Sequence, residues 1–315
     1  MARDVEMPED EPRSLVPLEV QETRPALKLS ASLAGASRDE FVYVGRNGQV
    51  LSPTRYRVQR VASLALAISA AVGGVALSVV IGAPWLALLY VASLGYGANV
   101  WARSEQLKRG AALLAADRLE EAEAELWPLT RSRWTTQTVQ ALAWQNLAGV
   151  ALRRGQTETA LEHVRRCEQQ FRRIWWVPLG PWRWINRFSE VQLLAQLGRV
   201  KEARELYRSM TRVPEGEYFV LLRMNAELML AFAEGSAEAL PTDLHAWVRN
   251  ALATTSAELA LAILAWAHEE RGDAEMASLL VAQARDRIDA AVFGRMFPTV
   301  YAWLRTRPVA PPETD

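Results

Sequence analysis

The side chains that could carry covalent, metal or acid–base chemistry in this chain are few and far apart. Histidine occurs three times, at His163, His245 and His268, and cysteine once, at Cys167. The histidines lack the short helical spacing that brings two imidazoles onto one metal ion. His268-Glu269-Glu270 has no second histidine of the zinc-protease kind and reads as a solvated face. A lone thiol makes neither an intramolecular disulfide nor a Cys-cluster metal site. The chain contains no phosphate-binding Gly loop, no nucleophile elbow and no paired-carboxylate arrangement. These residues predict a protein that is not an enzyme, with no catalytic residue, no cofactor and no metal.

Chemistry of contact is better represented. Between Arg172 and Trp184 the chain reads Arg172-Arg173-Ile174-Trp175-Trp176-Val177-Pro178-Leu179-Gly180-Pro181-Trp182-Arg183-Trp184. Amphipathic Trp and snorkelling Arg suit a membrane interface, so Trp175, Trp176, Trp182 and Trp184, with Arg172, Arg173 and Arg183, form a candidate membrane-interface loop. The alternative is an insertion that folds back and fills a gap between helices. Formal charge sums to zero, 36 basic against 36 acidic residues, but its distribution is uneven. From Arg131 to Arg187 ten arginines face three glutamates, and from Glu234 to Glu275 eight acids face two arginines. The basic half suits anionic lipid headgroups or an acidic partner; without a nucleic-acid motif beside it, no nucleic acid is expected. Arginines that merely solvate helix faces are the plain alternative.

The element that positions this half is the preceding run, Val61 to Ala102, which holds no Asp, Glu, Lys or Arg over 42 residues. As continuous helix it would extend about 63 Å, whereas a bilayer core of roughly 30 Å needs about 20 residues. Two spans are therefore expected, 61–81 and 84–102, joined at Gly82-Ala83-Pro84-Trp85. Both flanks are basic, with Arg46, Arg55, Arg57 and Arg60 before and Arg103, Lys108 and Arg109 after. The positive-inside rule puts both in the cytoplasm, and the arginine-rich composition suggests a bacterial inner membrane. Small residues at Ala70, Gly74, Ser78 and Gly82, and at Ser93 and Gly97, recur at a spacing that permits close helix contact. A helical hairpin buried in a soluble protein is the rival reading.

The segments around the spans differ in kind. Residues 1–40 read as a disordered acidic tail. Residues 41–60 read as a short hairpin about Asn47-Gly48 followed by a basic juxtamembrane stretch. Residues 308–315, rich in Pro, read as a loose tail.

From 103 to 307 the pattern is helical, with apolar residues at 3.6-residue periodicity broken at short intervals. A turn residue followed five positions later by alanine recurs at Asp117 and Ala122, Gly155 and Ala160, Gly198 and Ala203, and Gly272 and Ala277, whereas Gly235 is followed at that distance by Leu240. The pattern resembles the tetratricopeptide repeat, most clearly over Trp144, Leu147, Ala148, Gly155, Ala160 and Val164 and over Leu261, Leu264, Ala265, Gly272, Ala277 and Val281. The spacing is longer than the family's 34 residues, and the unit at Gly235 departs, because Pro241 delays its second helix. After the two-span transmembrane hairpin expected from the uncharged run, the resemblance implies a divergent alpha-solenoid of about five helix pairs, capped by 292–304, in an all-α chain. It also implies a concave partner-binding face carrying Gln145, Asn146, Arg153, Gln192, Asn225, Met229, Trp266 and Glu269, although packing between repeats would explain Met229 and Trp266 as well. The Lys and Asn pair that clamps a C-terminal carboxylate in some family members is not matched, since Leu107, Gln145, Phe188, Asn225 and Ala262 occupy that row. The expected function is a membrane-anchored scaffold that recruits or organises partner proteins; the alternative is an accessory or regulatory subunit of a larger membrane enzyme or transporter complex.

Overall fold

The computed structural model describes residues 43–44, 50–51, 53–81, 84–173, 180–211, 213, 216–254 and 257–307. The expected tails at 1–40 and 308–315 lie outside these residues. Apart from a two-stranded pairing, the described chain is all-α, with 13 helices that pack largely on their sequence neighbours. Strands β1 (Tyr43–Val44) and β2 (Val50–Leu51) are antiparallel, with Tyr43 opposite Leu51 and Val44 opposite Val50. That register centres on Asn47, one residue away from a two-residue Asn47-Gly48 turn.

Helices α1 (Pro53–Val80) and α2 (Pro84–Ala115) form a hairpin. Gly74 of α1 sits where an added Cβ would run into the Tyr90 ring of α2, so the small residue sets the approach of the two helices. Apolar side chains elsewhere on the hairpin point outward, among them Val61, Leu66, Val72, Val80, Leu88 and Val91, all more than half exposed. Among the described residues no helix is long and apolar enough to cross a membrane. Gly82 and Ala83, between the expected spans at 61–81 and 84–102, are not among them. Helix α2 runs through Arg103 without a break, so the second expected span and the first helix of the expected repeats are one element, about 48 Å long.

After α2 come α3 (Leu119–Arg131), α4 (Gln137–Arg153), α5 (Thr157–Arg173), α6 (Gly180–Gln196), α7 (Val200–Ser209), α8 (Glu217–Glu234), a 3-10 turn (Ala237–Ala239), α9 (His245–Ala253), α10 (Glu258–Glu270) and α11 (Ala274–Arg287). One turn is used five times. Asp117, Gly155, Gly198, Gly235 and Gly272 all have φ between 58° and 80°. In each, the amide after the left-handed residue reaches back to a carbonyl of the preceding helix, as in Arg118 to Leu113, Gln156 to Ala151, Arg199 to Leu194, Ser236 to Ala231 and Asp273 to His268. The reversal seats Ala122, Ala160, Ala203 and Ala277 against the preceding helix with at most 5% exposure, where a longer side chain would hold the helices apart.

The fourth unit is irregular, as Pro241 leads one to expect. Leu240 fills the alanine position at 5% exposure, and a 3-10 turn replaces the start of the second helix. The Arg271 guanidinium holds this stretch together by donating to the carbonyls of Ala237, Leu240, Pro241 and Thr242.

The C-terminal helices α12 (Ala290–Met296) and α13 (Pro298–Arg305) do more than cap the last hairpin. Asp289 caps α12 by accepting from the amides of Ala291 and Val292, and Pro298 opens α13, so the chain turns sharply between them. Helix α13 packs on α10 while α12 reaches back to α4. There Arg295 Nε donates to the Arg153 carbonyl at 3.0 Å, and the Arg295 carbonyl lies 3.2 Å from where a Cβ on Gly155 would stand. Phe293, Val300 and Leu304 enter the main core, and Phe293 stacks on Phe297 with centroids 5.1 Å apart.

Candidate functional site

The residues expected to line a partner-binding face lie on α4, α6, α8 and α10, and most are already engaged within the chain. Asn146 donates to the Leu142 carbonyl at 2.8 Å. Arg153 donates to the Leu114 carbonyl at 2.6 Å and pairs with Asp117 at 3.2 Å, which ties α4 to the first left-handed turn. Met229 is 1% exposed, and Trp266, 5% exposed, packs edge-on against Phe232. Glu269 pairs with Arg307 at 2.6 Å, just beyond α13. Gln145, Gln192 and Asn225 are half-buried.

Unused hydrogen-bonding capacity occurs on these helices, and also at Thr135, His163, Glu168 and Trp303. The side-chain oxygens of Gln145 on α4, Asn186 and Gln196 on α6, and Asn225 on α8 are buried with no partner among the described residues. A buried amide oxygen without a donor costs about 1–3 kcal/mol. Sequence reasoning names Gln145 and Asn225; it misses Asn186, which is wholly buried and donates to the Val164 carbonyl, and Gln196.

The tryptophan-rich segment divides. Ile174 to Leu179, with Trp175 and Trp176, lies outside the described residues. Trp182 and Trp184 stand within α6 instead of in a loop; both are half-buried against the core, with the Arg187 guanidinium over Trp184 at 5.8 Å. Beneath them the buried Glu168 carboxylate gathers Arg183 at 3.3 Å, Arg172 at 3.4 Å and Arg187 at 3.9 Å on one oxygen. Arg173 is exposed.

Helix packing also redistributes the charge. Arg153, Arg154, Arg165, Arg166, Arg172, Arg183 and Arg187 all have carboxylate partners, several from outside the basic stretch, such as Asp117, Glu123, Glu190 and Glu202. Among the described residues Arg131, Arg133 and Arg173 have none. Instead, Arg131 lies over the Trp127 ring at 4.7 Å and Arg133 over Trp134 at 5.3 Å.

The scattered titratable groups are structural in their surroundings. His163 lies against Trp127 and Trp144, and burial together with the Arg166 charge lowers its pKa. Burial pushes the Cys167 thiol well above the usual thiol range, so it keeps its proton. Burial, with a hydrogen bond to Glu227, raises the Tyr207 hydroxyl to about 12. His268 corrects the sequence reading: it is not solvated but 7% exposed, with Nδ1 3.0 Å from Asp273 across the last left-handed turn. Asp273 also caps α11 by accepting from the Met276 amide.

In comparisons with known proteins, the chain matches no protein-family model, no curated protein and no solved structure.

Proposed function

We propose that this chain is a membrane-anchored interaction scaffold, in which the α1–α2 hairpin inserts in a bilayer and a tetratricopeptide-like solenoid recruits partner proteins. The observation that carries the reading is the continuity of α2, whose uncharged half ends at Ala102 and whose second half is the first helix of the repeats. Outward-facing Val and Leu on the hairpin are the side chains that lipid would cover. The five left-handed turns with a small or apolar residue five positions on support the solenoid class. Partner binding is supported by the half-buried amide side chains Gln145, Gln192 and Asn225, which stand on α4, α6 and α8. The basic flanks support a cytoplasmic N-terminus and repeat domain, and the arginine-rich composition supports a bacterial inner membrane.

A subunit role in a larger membrane complex is the second reading. It is favoured by Gly95 and Gly97, where an added Cβ meets nothing within 4 Å, so this part of α2 is free for another helix. Carbonate extraction of membranes tests the anchor: retention in the pellet supports it, and release of the intact chain refutes it. Affinity purification in mild detergent separates the two roles. Several soluble proteins recovered from wild type and lost with Gln145→Leu/Asn225→Leu support the scaffold; one stoichiometric membrane protein supports the subunit.

A further inference from the structure

Between α3 and α4 the connection Ser132-Arg133-Trp134 is held firmly and from several sides. Asn99 Nδ2, in the last turn of the uncharged half of α2, donates to the Trp134 carbonyl at 2.7 Å. Gln140 donates to the Ser132 carbonyl at 3.0 Å, and the Trp134 amide donates to Ser132 Oγ at 3.2 Å. The next residue, Thr135, is buried. This well-fixed turn nonetheless presents the Trp134 indole at 62% exposure, with the Arg133 guanidinium over it. Arg131 and Arg133 have no carboxylate partner among the described residues, although seven other arginines of the basic half do.

The level of this turn along α2 gives the exposed indole a purpose. Trp101, 53% exposed, stands two residues after Asn99, and Trp85, 62% exposed, stands at the other end of the uncharged half. Sixteen residues separate the two tryptophans, about 24 Å of helix, close to the roughly 30 Å of a hydrocarbon core. Tryptophans at both ends of such a stretch mark its two interfaces. Trp134 is hydrogen-bonded to the same turn of α2 that carries one of them.

We infer that Arg131, Arg133 and Trp134 form a second lipid contact, which seats the repeat domain on the interface of the bilayer that holds the hairpin. The indole lies among the headgroups, and the two guanidiniums face anionic lipid phosphates. The inference rests on the membrane reading above. It differs from the expectation for Trp182 and Trp184, whose rings the core already half covers.

The test uses the full-length chain in vesicles of phosphatidylethanolamine and phosphatidylglycerol, with an environment-sensitive fluorophore on Trp134→Cys and, separately, on Arg133→Cys. Cys167 is wholly buried and does not compete for the label. Leu94→Cys in the hairpin and Glu238→Cys, exposed in the fourth unit, are the references. A blue shift and quenching by headgroup-proximal spin-labelled lipid at 133 and 134, with none at 238, support the seat. Labels at 133 and 134 that behave like 238 while 94 is quenched by lipid spin-labelled deep in its acyl chain overturn it and leave the anchor standing. No quenching at 94 by that acyl-chain label overturns the anchor and the seat with it.

Discussion

Gly155 reports on the closure of the chain by α12, and Gly198 is its control. Both glycines are left-handed, with φ of 77° and 70°, so replacing either with alanine carries the same backbone penalty of about 1–2 kcal/mol. Their surroundings differ. An added Cβ at Gly198 meets nothing within 4 Å, whereas at Gly155 it stands 3.2 Å from the Arg295 carbonyl and 3.8 Å from the Arg295 Cβ. To relieve that contact α12 must retreat by a few tenths of an ångström, which stretches the 3.0 Å bond from Arg295 Nε to the Arg153 carbonyl. An exposed charged hydrogen bond of this kind is worth about 1 kcal/mol, so Gly155→Ala should cost about 1 kcal/mol more than Gly198→Ala. Urea unfolding of the full chain in detergent, followed by circular dichroism, measures the difference. Hydrogen exchange measured on peptides covering α12 locates it, with faster exchange expected in Gly155→Ala alone. Equal costs and unchanged exchange at α12 would refute the closure.

Other perturbations reach other parts of the fold. Because the folded-state pKa of His163 lies below 6.5, the unfolded chain takes up the proton first, and stability falls as pH drops through 6.5 toward the folded value. His163→Gln should remove that slope, and parallel stability curves for the two proteins between pH 7 and 5 would show that the histidine does not contribute. Arg271→Ala leaves four carbonyls without their donor and should cost about 1–3 kcal/mol, with hydrogen exchange rising first over 237–244; Arg271→Lys, which lacks the fork, should recover only part. Ala160→Leu forces a side chain between α4 and α5, where Ala160 has no exposed surface, and should cost about 1–3 kcal/mol in the same urea measurement.

The turns between helices were legible because a left-handed residue is a local requirement. Glycine meets it without a Cβ penalty, Asp tolerates it, and the small residue five positions later follows from the helix reversal that the turn creates. Pro241 announced the irregular fourth unit for an equally local reason, its missing amide and fixed φ. Candidate binding residues were legible only as positions on helices. Arg153 and Glu269 look free in sequence, and their partners Asp117 and Arg307 become apparent only once helices are packed. His268 was misread because periodicity places it on a helix but does not reveal that it is buried there with Asp273 beside its ring.

By itself the sequence determined the helical class, the uncharged hairpin and the five turn positions, because each depends on residues within a turn or two of one another. Only the tertiary structure decided that α12 returns to α4, that within the basic stretch Arg131, Arg133 and Arg173 have no carboxylate partner among the described residues, and that Trp134 is tied to Asn99. These depend on which faces meet across 35 to 142 positions of chain, and composition does not encode that pairing.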